Sequence, residues 1–123
     1  VLEDEREHEP LIRRFLKAAF TEVELDWHDD VGSAMKAVRE SNYQDGPQYD
    51  LILADLFIPN YHAGMRFWQF CSLCAPMVPF AFNSSAKREQ FHEFFREPET
   101  RPLLIQKQEP LQFKQRTLQQ MLA

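Results

Sequence analysis

Short apolar runs alternate along the chain with segments in which apolar residues recur every three or four positions. The short runs predict five strands, at residues 1–2, 23–27, 49–59, 78–83 and 103–105. The periodic segments predict five amphipathic helices, with buried stripes that start near Leu11, Val31, Phe67, Phe91 and Leu111. Parallel strands need crossover connections, and right-handed crossovers stack helices on both faces of a sheet. We therefore expect an α/β fold, a doubly wound parallel sheet of five strands and five helices in three layers.

The third predicted strand, at residues 49–59, reads Y-D-L-I-L-A-D-L-F-I-P. Its apolar run, bounded by polar residues on one side and a proline on the other, is typical of a strand buried on both faces. Asp55 closes that run, at the end where open parallel sheets bind their ligands. An aspartate in such a position is more often a turn or helix-cap residue, so the residues at the other strand ends decide its role.

Polar residues follow the other predicted strands in the same way. Glu3 and Asp4 follow the first strand, Ser84 follows the fourth and Lys107 follows the fifth. All carboxyl ends of a parallel sheet lie on one edge, so we expect these side chains near Asp55, with the Lys107 ammonium in the same pocket. Three carboxylates repel one another and suit a hard cation such as Mg²⁺. A nucleophilic carboxylate, a divalent ion, a hydroxyl and a lysine together indicate phosphoryl transfer.

Four motifs resemble the receiver domain of two-component response regulators. They are V-L-E-D-E, Y-D-L-I-L-A-D-L-F-I-P, F-N-S-S and I-Q-K, and the resemblance covers essentially the whole chain, residues 1–123. It implies the flavodoxin-like form of the α/β fold. It also implies a phosphorelay function, in which the domain accepts a phosphoryl group from a sensor histidine kinase or a histidine phosphotransfer protein and switches a partner-binding surface. Such a domain is not an enzyme beyond its own phosphorylation and dephosphorylation.

The resemblance also assigns a metal site for Mg²⁺, or Mn²⁺ in its place. Asp4 would bind the ion directly and Glu3 through a water molecule. Asp55 would ligate the ion as well as accept the phosphoryl group, and Phe57 would contribute its main-chain carbonyl.

Three further residues would contact the phosphoryl group. The resemblance assigns Ser84 as the hydroxyl that turns toward the acyl phosphate, Ser85 as the small residue beside it, and Lys107 as the lysine that pairs with it.

Two positions depart from the pattern of the family. Leu104 stands where the family usually has an aromatic residue three positions before the lysine, and Gln108 stands where a proline usually follows the lysine. These departures favour an alternative, a receiver-like interaction module that phosphorylation does not regulate. A third hypothesis is a small aspartyl-phosphate phosphohydrolase. The chain argues against it, because no second acid follows shortly after Asp55 to act as the general acid.

Composition and charge bear on whether the protein is globular, binds nucleic acid or spans a membrane. The chain has 123 residues, 44% of them hydrophobic, and a formal net charge of −5, so we expect one globular domain that binds no nucleic acid. No apolar run is long enough to span a membrane and no signal-peptide pattern is present, so we expect a cytoplasmic protein. The chain does not begin with Met. We expect it to be cut from a longer protein, with any output domain outside it.

Two cysteines and four histidines carry weaker signals. Cys71 and Cys74 have the spacing of redox and zinc sites, but both lie on the predicted buried stripe of the third helix, so we interpret them as packing residues. The histidines are scattered. His62 follows Asp55 by seven positions, and surface placement is the simpler interpretation for it.

Overall fold

A parallel three-stranded sheet forms the centre of the molecule. The computed structural model describes residues 1–58 and 60–122, so the last position of the third predicted strand lies outside the described residues. The regular strands are β1 (Ile52–Ala54), β2 (Phe80–Ser84) and β3 (Leu103–Gln106), in the order β1-β2-β3. Leu53 lies opposite Ala81. The predicted α/β class with a parallel sheet is confirmed.

The prediction of five strands is confirmed for three of them only. Residues 1–2 and 23–27 do not form regular strands in the described chain. Leu2 makes single parallel bridges to Ala54 and to His28, the residue that follows the second predicted strand. The parallel pairing of Leu2 does not continue along the chain after Glu3, because the backbone bends at Asp4 and then enters the 3-10 turn Arg6–His8.

The described ranges contain five α-helices, the number that the hydrophobic pattern predicted. They are α1 (Glu9–Ala19), α2 (Val31–Glu40), α3 (Tyr61–Cys74), α4 (Arg88–Phe94) and α5 (Leu111–Met121). Side chains cap two of them: Asp30 accepts a hydrogen bond from the Ser33 N–H at α2, and Asn60 accepts one from the Ala63 N–H at α3. Such caps satisfy N–H groups that have no partner inside the helix. Among the residues described, no helix is both long and apolar enough to cross a membrane.

Helices cover both faces of the sheet. Alternate strand residues point to opposite faces, and two separate groups of buried side chains result. Leu53, Ala81 and Ile105 pack with residues of α1 and α5. On the other face, Phe82 and Leu104 pack with residues of α2, α3 and α4. The sheet therefore lies between two helical layers.

Helix α3 approaches the backbone that follows β1 unusually closely. A Cβ atom added at Gly64 would lie 1.9 Å from the carbonyl oxygen of Leu56. Only a residue without a side chain allows this approach. Gly64 therefore fixes α3 against the segment that follows Asp55.

Candidate functional site

Main-chain pairing brings Glu3 and Asp55 to the same edge of the sheet. The Leu2 N–H donates to the Leu53 carbonyl at 2.9 Å, and the Asp55 N–H donates to the Leu2 carbonyl at 2.9 Å. Leu2 and Ala54 are thus bridge partners, and the residue after each one is a carboxylate. Both side chains are buried, Glu3 to 1% exposure and Asp55 to 7%.

Lys107 links these two carboxylates. Its Nζ donates to Asp55 Oδ2 at 2.9 Å and to Glu3 Oε1 at 3.1 Å. The residue follows β3, and its own N–H donates to the Ser84 carbonyl at 2.8 Å. The sequence predicted one pocket for these charges, and the three groups do lie together.

Burial and charge act in opposite directions on these groups. Burial and the nearby Asp55 charge raise the pKa of Glu3, although Lys107 and His8 act to lower it. Burial acts to lower the pKa of Lys107, but hydrogen bonds and charge attraction from Asp55 and Glu3 together outweigh it, so that the pKa is raised. The lysine therefore stays charged, and the charge of Glu3 is only partly compensated by its partners.

The structure adds His8 to the pocket, a residue that the sequence pattern did not indicate. His8 Nδ1 lies 2.8 Å from Glu3 Oε1 and 3.2 Å from Lys107 Nζ, while Nε2 lies 3.0 Å from Glu5 Oε2. The residue ends the 3-10 turn Arg6–His8, which folds the chain back onto Glu3. A turn this short leaves no hydrophobic periodicity, so the pattern carried no signal for it.

The donor atoms of the pocket suit a hard divalent cation. Glu3, Asp4 and Asp55 each offer an oxygen, and these atoms lie within 4.8 Å of one another. Within the two described ranges, Glu3 Oε2 is buried and has no hydrogen-bond partner. A buried carboxylate oxygen is costly unless something binds it. The pocket therefore fits Mg²⁺, with Glu3, Asp4 and Asp55 as the side chains that would hold it.

The remaining predicted site residues contribute less direct contacts. The Phe57 N–H donates to Asp55 Oδ1 at 3.3 Å. Ser84 is fully buried, and its hydroxyl accepts a hydrogen bond from the Ala86 N–H at 3.2 Å, whereas Ser85 is exposed. Across the described part of the chain, no hydrogen bond joins either serine hydroxyl to Asp55 or Lys107. The structure thus brings the side chains of Glu3, Asp55 and Lys107 together, while Ser84 meets Lys107 through main-chain atoms.

Comparisons with known proteins add no relative. No protein-family model matches the chain, and neither a curated protein nor a solved structure matches it. Its function therefore has to be argued from the pocket.

Proposed function

We propose that the chain is a receiver domain that accepts a phosphoryl group on Asp55 from a phosphohistidine donor, either a histidine kinase or a histidine phosphotransfer protein. The observation that carries the proposal is the bridge from Lys107 Nζ to Asp55 Oδ2 at 2.9 Å, at the carboxyl end of β1. The receiver fold would have five parallel segments. The parallel bridges from His28 to Leu2 and from Leu2 to β1 support this arrangement, since they add two chain segments to the sheet on the side of β1 away from β2.

The chemistry requires an accessible oxygen on Asp55. Oδ2 accepts from Lys107 at 2.9 Å, whereas Oδ1, among the described residues, has the longer contact with the Phe57 N–H at 3.3 Å. Oδ1 is therefore the better nucleophile. It would form a bond to phosphorus as the phosphorus–nitrogen bond of the donor breaks and the imidazole leaves.

Charge compensation in the pocket would assist this transfer. The Lys107 ammonium would bind an oxygen of the phosphoryl group during transfer. This contact would stabilise the transition state, because an ammonium attracts developing negative charge more strongly in a partly buried pocket than in water. Mg²⁺, when bound, supplies additional positive charge to those oxygens. Glu3, Asp4 and Asp55 would hold it.

A small phosphodonor tests the proposal directly. The wild-type protein is incubated with Mg²⁺ and acetyl phosphate, and its intact mass is measured. We expect one added phosphoryl group in the wild-type protein and none in Asp55→Asn, which preserves the shape of the side chain but removes the nucleophile.

Asp50→Asn is the matched control. Asp50 lies five positions before Asp55 in the same segment and is exposed, so this variant should be phosphorylated like the wild type. Equal labelling of the wild-type protein and Asp55→Asn, or no labelling at millimolar donor, would rule out Asp55 as the acceptor.

Two observations favour the second candidate, a receiver-like interaction module that phosphorylation does not regulate. Lys107 and His8 already contact Glu3, so the pocket has cationic and imidazole partners of its own without an added ion. Leu104 is buried at 4% exposure, where an aromatic side chain could not rotate freely without repacking. A protein that binds its partner equally well with and without acetyl phosphate would support this candidate.

A further inference from the structure

A buried lysine lies close to the proposed phosphoacceptor pocket and has no role in the chemistry described above. Lys114 is on α5 and is only 2% exposed. It occupies the core-facing side of the helix, three positions after Leu111 and four before Leu118, where an apolar residue is expected. Lysine is rarely buried so completely because removing an ammonium from water is costly. This position therefore requires a reason other than packing.

The ammonium of Lys114 is directed at the main chain of Lys107. Lys114 Nζ donates to the Lys107 carbonyl at 2.8 Å, and it lies 5.1 Å from the centre of the Phe15 ring. An aromatic face attracts a cation. Phe15 belongs to α1 and is completely buried. The Lys114 side chain thus extends from α5 past Phe15 of α1 to the turn that follows β3.

Two bonds hold the main chain of Lys107, one on each side of the residue. Its N–H donates to the Ser84 carbonyl at 2.8 Å, and its carbonyl accepts from Lys114. The turn is closed by the Glu109 N–H, which donates to the Gln106 carbonyl at 3.0 Å. A long side chain can be aimed well only if its main chain is fixed.

We propose that Lys114 is a positioning residue that fixes the main chain of Lys107 and thereby holds the Lys107 ammonium between Glu3 and Asp55. The consequence for phosphorylation rests on the proposed function, whereas the consequence for the position of Lys107 does not.

The first measurement concerns Lys107 itself. In protein labelled with ¹⁵N at lysine, side-chain ammonium signals are recorded by NMR, and Lys107 is assigned from its loss in Lys107→Arg. We expect Lys114→Met, which has nearly the same shape without the donor, to shift or broaden the Lys107 signal as its contacts with Glu3 and Asp55 loosen. Lys17→Met, a change of an exposed helical lysine, should leave the signal unchanged.

The second measurement is the rate of phosphorylation by acetyl phosphate. In Lys114→Met the maximal rate should fall about tenfold, the loss expected when one charge-assisted contact is weakened. The donor concentration at half-maximal rate should change much less. The unfolding temperature of the variant is measured as well. If it equals that of the wild type, a general loss of packing cannot explain a lower maximal rate with a nearly unchanged half-maximal donor concentration.

The outcomes separate the inference from the proposed function. If the wild-type protein is not phosphorylated, the proposed function fails, but the NMR signal still tests the position of Lys107. A folded Lys114→Met protein with the wild-type Lys107 signal would overturn the inference. Should Lys114→Met not fold, Lys114→Gln is polar but too short to reach the carbonyl, and the same displacement of Lys107 is expected from it.

Discussion

At the scale of single residues, the pocket consists of charges that depend on one another. Glu3 and Asp55 are buried carboxylates, and each is paired with Lys107. Removing one partner of a buried ion pair costs about 3–5 kcal/mol because the other charge stays buried without compensation. Glu3 Oε2 is buried and has no hydrogen-bond partner among the described residues, and this unpaired oxygen favours a bound cation.

The two cysteines should differ sharply in reactivity. Burial raises the pKa of the Cys71 thiol to about 12, and the residue is only 3% exposed, whereas Cys74 is half-buried. Since the thiolate is the reactive form, Cys71 should stay unreactive between pH 7 and pH 9 as long as the protein is folded. In a native protein treated with Ellman's reagent, we expect at most one thiol to react, and two after denaturation in guanidinium chloride.

Cys74→Ser provides the control for this experiment, because the remaining thiol should react only after unfolding. Rapid modification of two thiols in the native protein would contradict the buried position of Cys71. It would also reopen the redox interpretation of the C-x-x-C spacing.

At the scale of secondary structure elements, the fold relies on short strands and on close packing of helices against them. Strand β1 has three residues, all buried. Elements this short contribute few ladder hydrogen bonds, so the helices that cover them also help to fix their positions. The approach of α3 to the Leu56 carbonyl, just after β1, is one example.

Substitution of Gly64 should therefore be costly. In Gly64→Ala the new Cβ would lie 1.9 Å from the Leu56 carbonyl oxygen, and a main-chain group cannot move aside as a flexible side chain can. We expect the free energy of unfolding in urea to fall by about 1–3 kcal/mol, the range for overpacked sites, or by more.

Gly32→Ala is the matched control in another helix, α2. The nearest atom to its added Cβ is a side-chain oxygen of Asp30 at 3.2 Å, which can adjust. The gain of up to roughly 1 kcal/mol from alanine applies to a helix interior, and Gly32 is the second residue of α2, so this variant should be close to neutral. A Gly64→Ala protein as stable as Gly32→Ala would show that α3 does not approach β1 so closely.

At the scale of the whole molecule, one edge of the sheet collects groups that are far apart in the chain. Lys107 is separated by 104 positions from Glu3 and by 52 from Asp55. The pocket therefore exists only in the folded protein. Any ligand that binds it must stabilise the fold, because the unfolded chain offers no comparable site.

Magnesium binding should accordingly raise the stability of the protein. At a Mg²⁺ concentration about tenfold above its dissociation constant, the free energy of unfolding should rise by roughly 1.4 kcal/mol. This corresponds to an increase of a few degrees in the midpoint of thermal unfolding, measured in Mg²⁺ and again after addition of EDTA.

Glu3→Gln removes the negative charge and one of the two oxygens of this side chain, and it should lose most of this increase, whereas Asp50→Asn should retain it. If Mg²⁺ raised the midpoint equally in the wild-type protein and Glu3→Gln, the ion would bind elsewhere, and the proposed metal site would be wrong.

The sequence by itself determined the order of helices, three of the strands and the candidate carboxylates. Hydrophobic periodicity is a local property, and the polar residue after each apolar run shows where a parallel sheet can carry chemistry. For this reason the pattern of the chain alone is enough to indicate Asp55 and Lys107.

Only the tertiary structure decided the contacts between distant segments. It reduced the first predicted strand to single bridges at Leu2, and it placed the bridge partner His28 just after the second predicted strand, whose residues 23–27 form no regular strand. It brought His8 beside Glu3 and aimed the buried Lys114 at the Lys107 carbonyl. These contacts depend on packing between segments far apart in the chain, and the direction of a side chain across a core leaves no trace in local sequence pattern.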